Sequence, residues 1–300
     1  MRQQDIICDF STSDSWVVLS PIEQSIKKKI EAVGTPLKDW DIQINYGIKT
    51  GCNEAFIIST EKRKEILDNC QTEDERKRTA ELIRPILRGR DIKRYGYVDN
   101  GLFLINTHNG IRNKLPRIDI NDYPAVKTHL DQYWDRISTR TDKGDTPYNL
   151  RNCAYLEDFS KPKVVYMEIQ TDNPEEGYPF PCYSYDDNRC IVLNTAYIMS
   201  SETTDPRYVL GILNSRLGKF LVKLYVIQLQ ERQFRMLSQY VMNFPIAHPT
   251  KEQENEMIHL VQDVLVHQSL ASEKRIDNLA FQIYGLTEIE IKSLMRVCQN

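Results

Sequence analysis

Residues 82–95, LIRPILRGRDIKRY, concentrate cationic side chains that could bind phosphate or carboxylate groups. Five of these fourteen side chains are basic and only Asp91 is acidic, although the whole chain carries 39 Lys and Arg against 42 Asp and Glu, a net charge of −3. Since the chain as a whole is mildly acidic, any anion-binding surface must be local. Such a run also occurs as a solvated face or in internal ion pairs, and the sequence leaves these alternatives open.

Further cations fall in segments whose composition is typical of irregular loops. Most are mixed with Asn, Thr, Ser, Tyr or Trp, and they are Arg112, Lys114, Arg117, Arg136, Arg140, Lys143, Arg151, Lys161 and Lys163. Basic groups on loops suit phosphate contacts, while Arg, Asn and Gln side chains can form paired hydrogen bonds with the edges of bases. These loops therefore favour a nucleic-acid-binding surface.

The patterns that would identify a catalytic centre are absent or weak in this sequence. The stretch GIKTGCN (47–53) lacks the Gly-Lys-Ser/Thr of a phosphate-binding loop. Tripeptides at 91–93 and 290–292 fit the acid-x-Lys pattern of metal-dependent nucleases, but such tripeptides are common by chance. The histidines are scattered, and a Gly-x-Ser-x-Gly nucleophile motif is missing. We expect no catalytic centre in this chain, and a nuclease or methyltransferase with an unrecognised site stays open as an alternative.

Cysteine usage and hydropathy restrict the class of protein further. Seven cysteines without a CxxC pair argue against a disulfide framework or a thiolate zinc site. No apolar run approaches the roughly 20 residues of a membrane-spanning helix, and the first residues lack the apolar core of a secretory signal. We therefore expect a cytoplasmic protein without a metal, a cofactor or a membrane partner of its own.

The elements that must position the glycine-containing turn can be predicted from local patterns. Ser20 and the proline after it predict a helix over residues 21–33, because serine caps a helix and proline suits its first turn. Alternation of apolar and polar residues at 42–46 predicts a half-buried strand. Residues 49–53 then predict a turn, and a second strand at 55–58 would complete a hairpin.

The remainder of the chain predicts a mixed α/β arrangement followed by helices. Charged, helix-favouring residues occupy 61–83, and short apolar runs predict strands at 101–106, 163–169, 189–194 and 195–200. Helical periodicity dominates after Pro206 and covers nearly all of 251–298. We predict an α/β (mixed α+β) domain over residues 1–246 and a C-terminal helical domain over 247–300.

Several of these segments, taken in order, resemble the TaqI-like C-terminal specificity domain, the target-recognition domain of DNA adenine methyltransferases and type IIG restriction–modification enzymes. The resemblance rests on YGIKTGCNEAFII (46–58), ELIRPILRGRDIKRY (81–95), DYPAVKTHL (122–130), FSKPKVVYMEI (159–169) and YVLGILNSRL (208–217). Residues 239–265 resemble the segment that leads into the helical spacer of type I specificity subunits. Residues 277–294 resemble the end of fused type IIG enzymes.

The resemblance implies a domain that binds double-stranded DNA and holds it against a methyltransferase, which flips the target adenine out of the stack. Family enzymes carry an AdoMet-binding domain with an Asn/Asp-Pro-Pro-Tyr/Phe motif, and no such tetrapeptide occurs here. We therefore expect the specificity portion alone, as a separate subunit or a fragment. AdoMet, and Mg²⁺ where cleavage also occurs, would be bound by an associated methyltransferase or nuclease part.

The side chains that we assign to DNA contact combine the turn, the basic stretch and the loops. They are Lys49, Thr50, Asn53, Arg84, Arg88, Arg90, Lys93, Arg94, Arg112, Lys114, Arg140, Lys143 and Arg151. The sequence leaves open whether Thr50 and Asn53 only shape the turn, and whether Arg90 and Asp91 pair inside the protein. A protein-interaction role for the 251–298 helices is compatible with DNA recognition and also stays open.

Overall fold

The computed structural model describes residues 19–173, 179–230 and 232–298, in which helices and short strands alternate. The helices are α1 (Pro21–Val33), α2 (Asn53–Phe56), α3 (Thr60–Asp68), α4 (Glu73–Leu82), α5 (Pro124–Asp131), α6 (Trp134–Ile137), α7 (Pro206–Asn214), α8 (Arg216–Tyr225), α9 (Ser238–Val241), α10 (Lys251–His267), α11 (Leu270–Ile283) and α12 (Glu288–Val297). The strands are β1 (Gly34–Pro36), β2 (Gln43–Tyr46), β3 (Ile57–Ser59), β4 (Ile83–Leu87), β5 (Leu102–Ile105), β6 (Lys163–Met167), β7 (Ile169–Thr171), β8 (Tyr183–Asp186), β9 (Ile191–Val192), β10 (Ala196–Ser200), β11 (Gln228–Gln230), β12 (Gln233–Arg235) and β13 (Pro245–Ala247). The predicted mixed α/β class with a helical C-terminal region is confirmed.

Helix ends follow local capping rules where the sequence supplies capping residues. The Ser20 hydroxyl accepts from the Glu23 amide at the start of α1, and the Glu23 carboxylate accepts from the Ser20 amide, which confirms the predicted helix start. The predicted helix at 61–83 is divided, because the chain breaks after α3 and α4 starts anew where the Thr72 hydroxyl accepts from the Glu75 amide. Among the described helices, none is long and apolar enough to cross a membrane.

The strands form two four-stranded sheets, with the orders β2-β10-β6-β8 and β3-β5-β4-β9. β4 pairs with β9 in parallel, whereas the other pairs of these two sheets are antiparallel. β9 and β10 follow each other directly, so residues 193–195 join one sheet to the other. A smaller sheet of order β11-β12-β7 extends beside them, and β1 pairs with β13.

The predicted hairpin between residues 42–46 and 55–58 is wrong. β2 pairs with β10, while β3 pairs with β5 in the other sheet, and residues 53–56 form the short helix α2. Gly51, at φ +68°, reverses the chain between these elements, a conformation that glycine adopts without a steric penalty. The turn at 49–53 therefore lies where the two sheets meet.

One hydrophobic core fills the space between the sheet β2-β10-β6-β8 and the helices. Buried side chains of α1, α7 and α8 share this core with those of α10, α11 and α12. The Tyr284 hydroxyl is tied to β13, since it donates to the Pro245 carbonyl at 2.8 Å and accepts from the Ala247 amide at 2.9 Å. The C-terminal helices thus pack on the α/β part across the boundary predicted near residue 246.

A second core lies around the sheet β3-β5-β4-β9 and holds the apolar residues of the basic stretch. These buried side chains are Leu82, Ile83, Ile86, Leu87 and Ile92. These buried residues anchor the segment in the core, and their positions fix where the interleaved cations can point.

Candidate nucleic-acid interface

The turn at 49–53 presents some of its predicted side chains to solvent and uses others internally. Thr50 is buried, and its hydroxyl donates to the Asn53 side-chain oxygen at 2.6 Å and accepts from the Cys52 amide at 3.2 Å. Lys49 and Asn53 are exposed on either side of it. Thr50 therefore shapes the turn, while Lys49 and Asn53 are accessible to a ligand.

Arg140 joins this turn to the loop at 139–152. Its two terminal nitrogens donate to the Thr50 carbonyl and to the carbonyls of Asp142 (2.8 Å), Pro147 (3.1 Å) and Asn149 (2.7 Å). The side chain is only 7% exposed, and its guanidinium lies 4.4 Å from the centre of the Phe56 ring. Burial lowers the pKa of Arg140 to about 10, so it remains charged at neutral pH. We predicted a DNA contact for Arg140, but this environment gives it a structural role.

Two exposed cations meet at one carboxylate on this joined surface. The Lys49 ammonium lies 2.9 Å from Asp142 Oδ2, and the Arg151 guanidinium lies 3.6 Å from Asp142 Oδ1. Lys143, next along the loop, is exposed and donates to the Ser138 carbonyl at 2.7 Å. Lys49, Lys143 and Arg151 were all predicted as DNA contacts, and the fold brings them together.

A third loop, at 106–118, is fastened to the same surface. The Asn109 side-chain oxygen accepts from the Asp145 amide at 2.9 Å, and the Leu150 amide donates to the Thr107 carbonyl at 2.8 Å. Arg112 and Lys114 lie at the exposed tip of this loop, where no described residue pairs with their side chains. They are therefore open to an anionic ligand, and their contact with DNA stays a prediction.

Most cations of the stretch at 82–95 are bound within the protein. Arg84 donates to the Arg189 carbonyl at 2.6 Å, and burial lowers its pKa. Arg88 forms two hydrogen bonds, of 2.7 and 2.9 Å, with the buried carboxylate of Asp91. To contact DNA as predicted, Arg84 and Arg88 would have to give up these internal hydrogen bonds.

The end of the same stretch divides between an internal tie and an exposed turn. Arg94 binds the Asn214 carbonyl at 2.5 Å and the Glu273 carboxylate at 2.6 Å, which ties the stretch to α11. Lys93 is half-buried and donates to the Arg90 carbonyl at 3.1 Å. Arg90 itself is exposed, and its side chain has no partner among the described residues. Arg90 is therefore the member of the stretch best placed to meet a ligand.

Thr195 connects the Arg90 turn to the surface around Lys49. Its hydroxyl accepts from the Gly89 amide at 2.9 Å, and its carbonyl accepts from the Glu168 amide at 3.0 Å. The Glu168 carboxylate in turn contacts Arg235 at 2.9 Å and the Tyr46 hydroxyl at 3.5 Å. Partial burial and the Glu168 charge raise the pKa of Tyr46. A line of contacts therefore runs from Gly89, beside Arg90, through Thr195 and Glu168 to Arg235 and to Tyr46 at the end of β2. Lys49 follows Tyr46 three residues later in the chain.

The hairpin β11–β12 adjoins this surface through β7 and Arg235, and none of its residues were among the predicted DNA contacts. It pairs with β7 through Phe234 and Gln170, and it exposes Gln228, Gln230 and Arg232. Amide and guanidinium groups can read base edges. The alternation of glutamine and leucine in QLQ (228–230) was a usable signal for a strand. The hairpin is nevertheless too short and too polar for a hydrophobic pattern to predict it.

The metal-ligating and thiol side chains of the described residues are dispersed or buried. None of their His, Cys, Asp and Glu side chains form a group of three or more that could hold a metal ion. Burial raises the pKa of the Cys182 and Cys190 thiols to about 12, which leaves them without nucleophilic thiolate at neutral pH. The arrangement is suited to binding an anion and reading polar groups.

A family model and several known proteins match this chain. The model of the TaqI-like C-terminal specificity domain matches residues 84–246, just over half of the chain. The type II methyltransferase M.BstVI of Geobacillus stearothermophilus is 22% identical over 292 residues, which cover 94% of this chain and 46% of that protein. The type II methyltransferase M.BanIII of Aneurinibacillus aneurinilyticus is 21% identical over 265 residues, with coverages of 82% and 42%. The chain thus spans less than half the length of these curated relatives.

Solved structures show the same fold at low sequence identity. The type IIL restriction–modification enzyme MmeI, solved in complex with DNA, superposes with a TM-score of 0.60 at 14% identity, over 88% of this chain and 36% of that one. The type IIG restriction endonuclease BpuSI superposes with a TM-score of 0.51 at 13% identity, over 89% and 34%. From the family match and this shared fold, we conclude that the chain belongs to the TaqI-like C-terminal specificity domain family.

Proposed function

We propose that this chain is the sequence-specific, double-stranded-DNA recognition module of a restriction–modification system. The observation that carries the proposal is that exposed cations and amides lie on separate loops and a hairpin that direct contacts tie to one another. These side chains are Lys49, Asn53, Arg90, Arg112, Lys114, Lys143, Arg151, Gln228, Gln230 and Arg232. The mildly acidic chain thus presents a local basic footprint, as a groove-binding module requires.

The surface divides into positions suited to two kinds of contact. Lys49, Lys143 and Arg151 sit on loops held by Arg140, and they are suited to phosphates, which fix the register of a duplex but carry no sequence information. The β11–β12 hairpin and Asn53 present amide groups, and Arg232 a guanidinium, that can form paired hydrogen bonds with base edges. In this proposal the loops supply affinity and the hairpin supplies much of the discrimination.

The chemistry itself is assigned to a partner in this proposal. The curated relatives are type II methyltransferases more than twice as long as the matched region. A methyltransferase part would bind AdoMet and act on an adenine flipped out of the duplex that this chain holds. A nuclease part, where present, would bring Mg²⁺. The exposed side chains of Val266, Leu270 and Ile289 on α10–α12 favour the C-terminal helices as a second, protein-binding surface.

Fluorescence anisotropy with a labelled random-sequence duplex tests the proposal. We expect binding at low salt that weakens steeply as salt rises, because each phosphate contact contributes a slope of about −0.9 in log K against log salt. The double variant Lys49→Ala/Arg151→Ala should bind more weakly with a slope reduced by about 2. Lys251→Ala/Arg275→Ala, which removes the same two residue types from the exposed C-terminal helices, is the matched control and should bind as wild type.

Selection of duplexes from a random library then tests specificity. Enrichment of one short motif supports target recognition, and undetectable or salt-independent binding would overturn the proposal. Incubation of the purified chain with duplex DNA and AdoMet, or with Mg²⁺, tests the alternative of an intrinsic enzyme. Methylation or cleavage by this chain alone would establish that alternative.

A further inference from the structure

Asp142 places a negative charge in the middle of the surface proposed to meet DNA. Its carboxylate lies between the Lys49 ammonium, at 2.9 Å, and the Arg151 guanidinium, at 3.6 Å. These two cations come from different loops, and each was predicted to contact DNA. An acidic group at this position opposes phosphate binding, so it needs a physical explanation.

The fold holds Asp142 in place independently of its two cationic partners. The buried guanidinium of Arg140 donates to the Asp142 carbonyl at 2.8 Å. On the other side, Gly51 approaches so closely that a Cβ added there would lie 3.1 Å from the Asp142 Cβ. The carboxylate is therefore a fixed feature of the surface, and the long Lys49 and Arg151 side chains are the parts that can move.

Exposure of the three side chains shows which contact can be exchanged. The Asp142 side chain is 18% exposed, whereas those of Lys49 and Arg151 are 49% and 64% exposed. A phosphate can thus reach both cations from solvent, but it must compete with a carboxylate that already occupies them. Binding that depends on phosphates alone meets this competition in full, because non-specific affinity is almost entirely electrostatic.

A cognate DNA sequence can offer the Asp142 carboxylate a new partner when phosphates take over Lys49 and Arg151. When Lys49 and Arg151 turn to phosphates, the Asp142 carboxylate is left beside the groove without these two ion-pair partners, while the nearby Arg140 guanidinium bonds backbone carbonyls. The exocyclic amino group of cytosine in the major groove is a matching donor, since Asp and Glu side chains accept hydrogen bonds from it. A base without an amino group there leaves the carboxylate unpaired and close to the negative backbone.

We propose that Asp142 is a specificity-determining residue: it competes with phosphates for Lys49 and Arg151, and its carboxylate is satisfied only by an amino-bearing base at the cognate site. This inference rests on the DNA-recognition function proposed above. It predicts that removing the charge strengthens binding to random DNA while it weakens discrimination between sequences.

The test measures dissociation constants for a random duplex and for the selected motif with wild type and Asp142→Asn. Loss of two surface ion pairs should strengthen random-duplex binding by about fivefold. The ratio of random to selected dissociation constants should fall about tenfold, the effect of one lost base contact. Asp145→Asn is the matched control, because Asp145 lies on the same loop and pairs with Arg117 at 3.1 Å. This control should leave the ratio unchanged.

Three outcomes would overturn the inference. An unchanged ratio with tighter binding to both duplexes would reduce Asp142 to a non-specific electrostatic effect, and parallel weakening of both would show that it only supports the loop. In the background Lys49→Ala/Arg151→Ala, Asp142→Asn should strengthen random-duplex binding by less than it does in wild type, because only direct repulsion between the carboxylate and the DNA backbone is then removed. An undiminished gain would also overturn the inference. Failure of the recognition function itself is distinguishable, because wild type would then select no motif.

Discussion

Replacement of Arg140 by alanine should destabilise the protein far more than replacement of a neighbouring surface arginine. The Arg140 guanidinium is shared by carbonyls from two loops, at 2.7–3.1 Å for those of Asp142, Pro147 and Asn149, and it also contacts the Thr50 carbonyl. Arg136, four residues earlier, is exposed and pairs only with the exposed Glu54, at 3.1 Å. The pair of variants therefore compares one residue type in two environments.

The expected magnitude follows from the acceptors that lose their donor. Of the four carbonyls, that of Asn149 keeps the Gly144 amide as a donor at 2.9 Å, whereas those of Thr50, Asp142 and Pro147 lose the Arg140 donor. A buried group left unsatisfied costs about 1–3 kcal/mol, and three carbonyls at the low end of this range give about 3 kcal/mol, since loop carbonyls regain some hydration. Unfolding entropies of about 2.1 cal/mol/K per residue convert this into a fall in the melting temperature of about 5 °C for a chain of this length. Arg140→Lys should recover little, because one ammonium cannot span carbonyls of both loops in the geometry of a planar guanidinium.

Thermal and urea unfolding of Arg140→Ala, Arg140→Lys and Arg136→Ala measure these differences. Random-duplex binding should also weaken in Arg140→Ala, because the loops that carry Lys49 and Arg151 lose their common tie. Equal melting temperatures for Arg140→Ala and Arg136→Ala would refute the structural role. Normal stability combined with a reduced salt dependence of binding would instead return Arg140 to the set of direct phosphate contacts.

Three further outcomes are expected. Arg232→Ala should leave the melting temperature unchanged and should relax the selected motif at one position, with a loss of about 1–3 kcal/mol for the cognate site, measured by anisotropy and repeated selection. Burial raises the pKa of the Asp91 carboxyl, but hydrogen bonds from Arg88 outweigh this effect and lower that pKa. The Arg88–Asp91 pair therefore stabilises the fold above the unfolded-state pKa near 4, and this stabilisation is lost as the pH falls through the folded-state pKa. The stability of Asp91→Asn should then approach that of wild type as the pH is lowered, which acid unfolding curves measure. Burial raises the pKa of the Glu290 carboxyl, yet hydrogen bonds from Lys29 and neighbouring groups outweigh this effect and lower that pKa to about 2. Glu290→Gln should therefore be less stable than wild type at pH 7, and the difference in stability should close between about pH 4.5 and pH 2.

Local chemistry made parts of the fold predictable. The start of α1 required only Ser20 and Glu23, which lie within one helical turn of each other. The apolar anchors of the basic stretch were predictable because short apolar runs in a folded chain are usually buried. The hairpin predicted after β2 is wrong because the pairing of β2 with β10 and of β3 with β5 depends on strands that are distant in the sequence.

The candidate site was predictable at the level of loops and less so at the level of single residues. Arg140 and Lys143 lie three positions apart in a polar segment, and nothing local distinguishes the buried structural residue from the exposed one. Burial of Arg140 depends on carbonyls contributed by residue 50 and by residues 142–149, which only the fold brings together. The β11–β12 hairpin was not predicted because its exposed polar residues show no hydrophobic periodicity, which is the main sequence signal of a strand.

The concentration of arginine in this mildly acidic chain has a physical explanation other than DNA binding. Long irregular connections have many carbonyls that no strand or helix satisfies, and a guanidinium offers five donors in one plane. Arg84, Arg94 and Arg140 each bind a backbone carbonyl from a distant segment, so they act as ties between loops. Density of positive charge therefore overestimates the number of DNA contacts in such a fold. The better criterion is an exposed cation whose partner is solvent or a carboxylate, which selects Lys49, Arg90 and Arg151 over their buried neighbours.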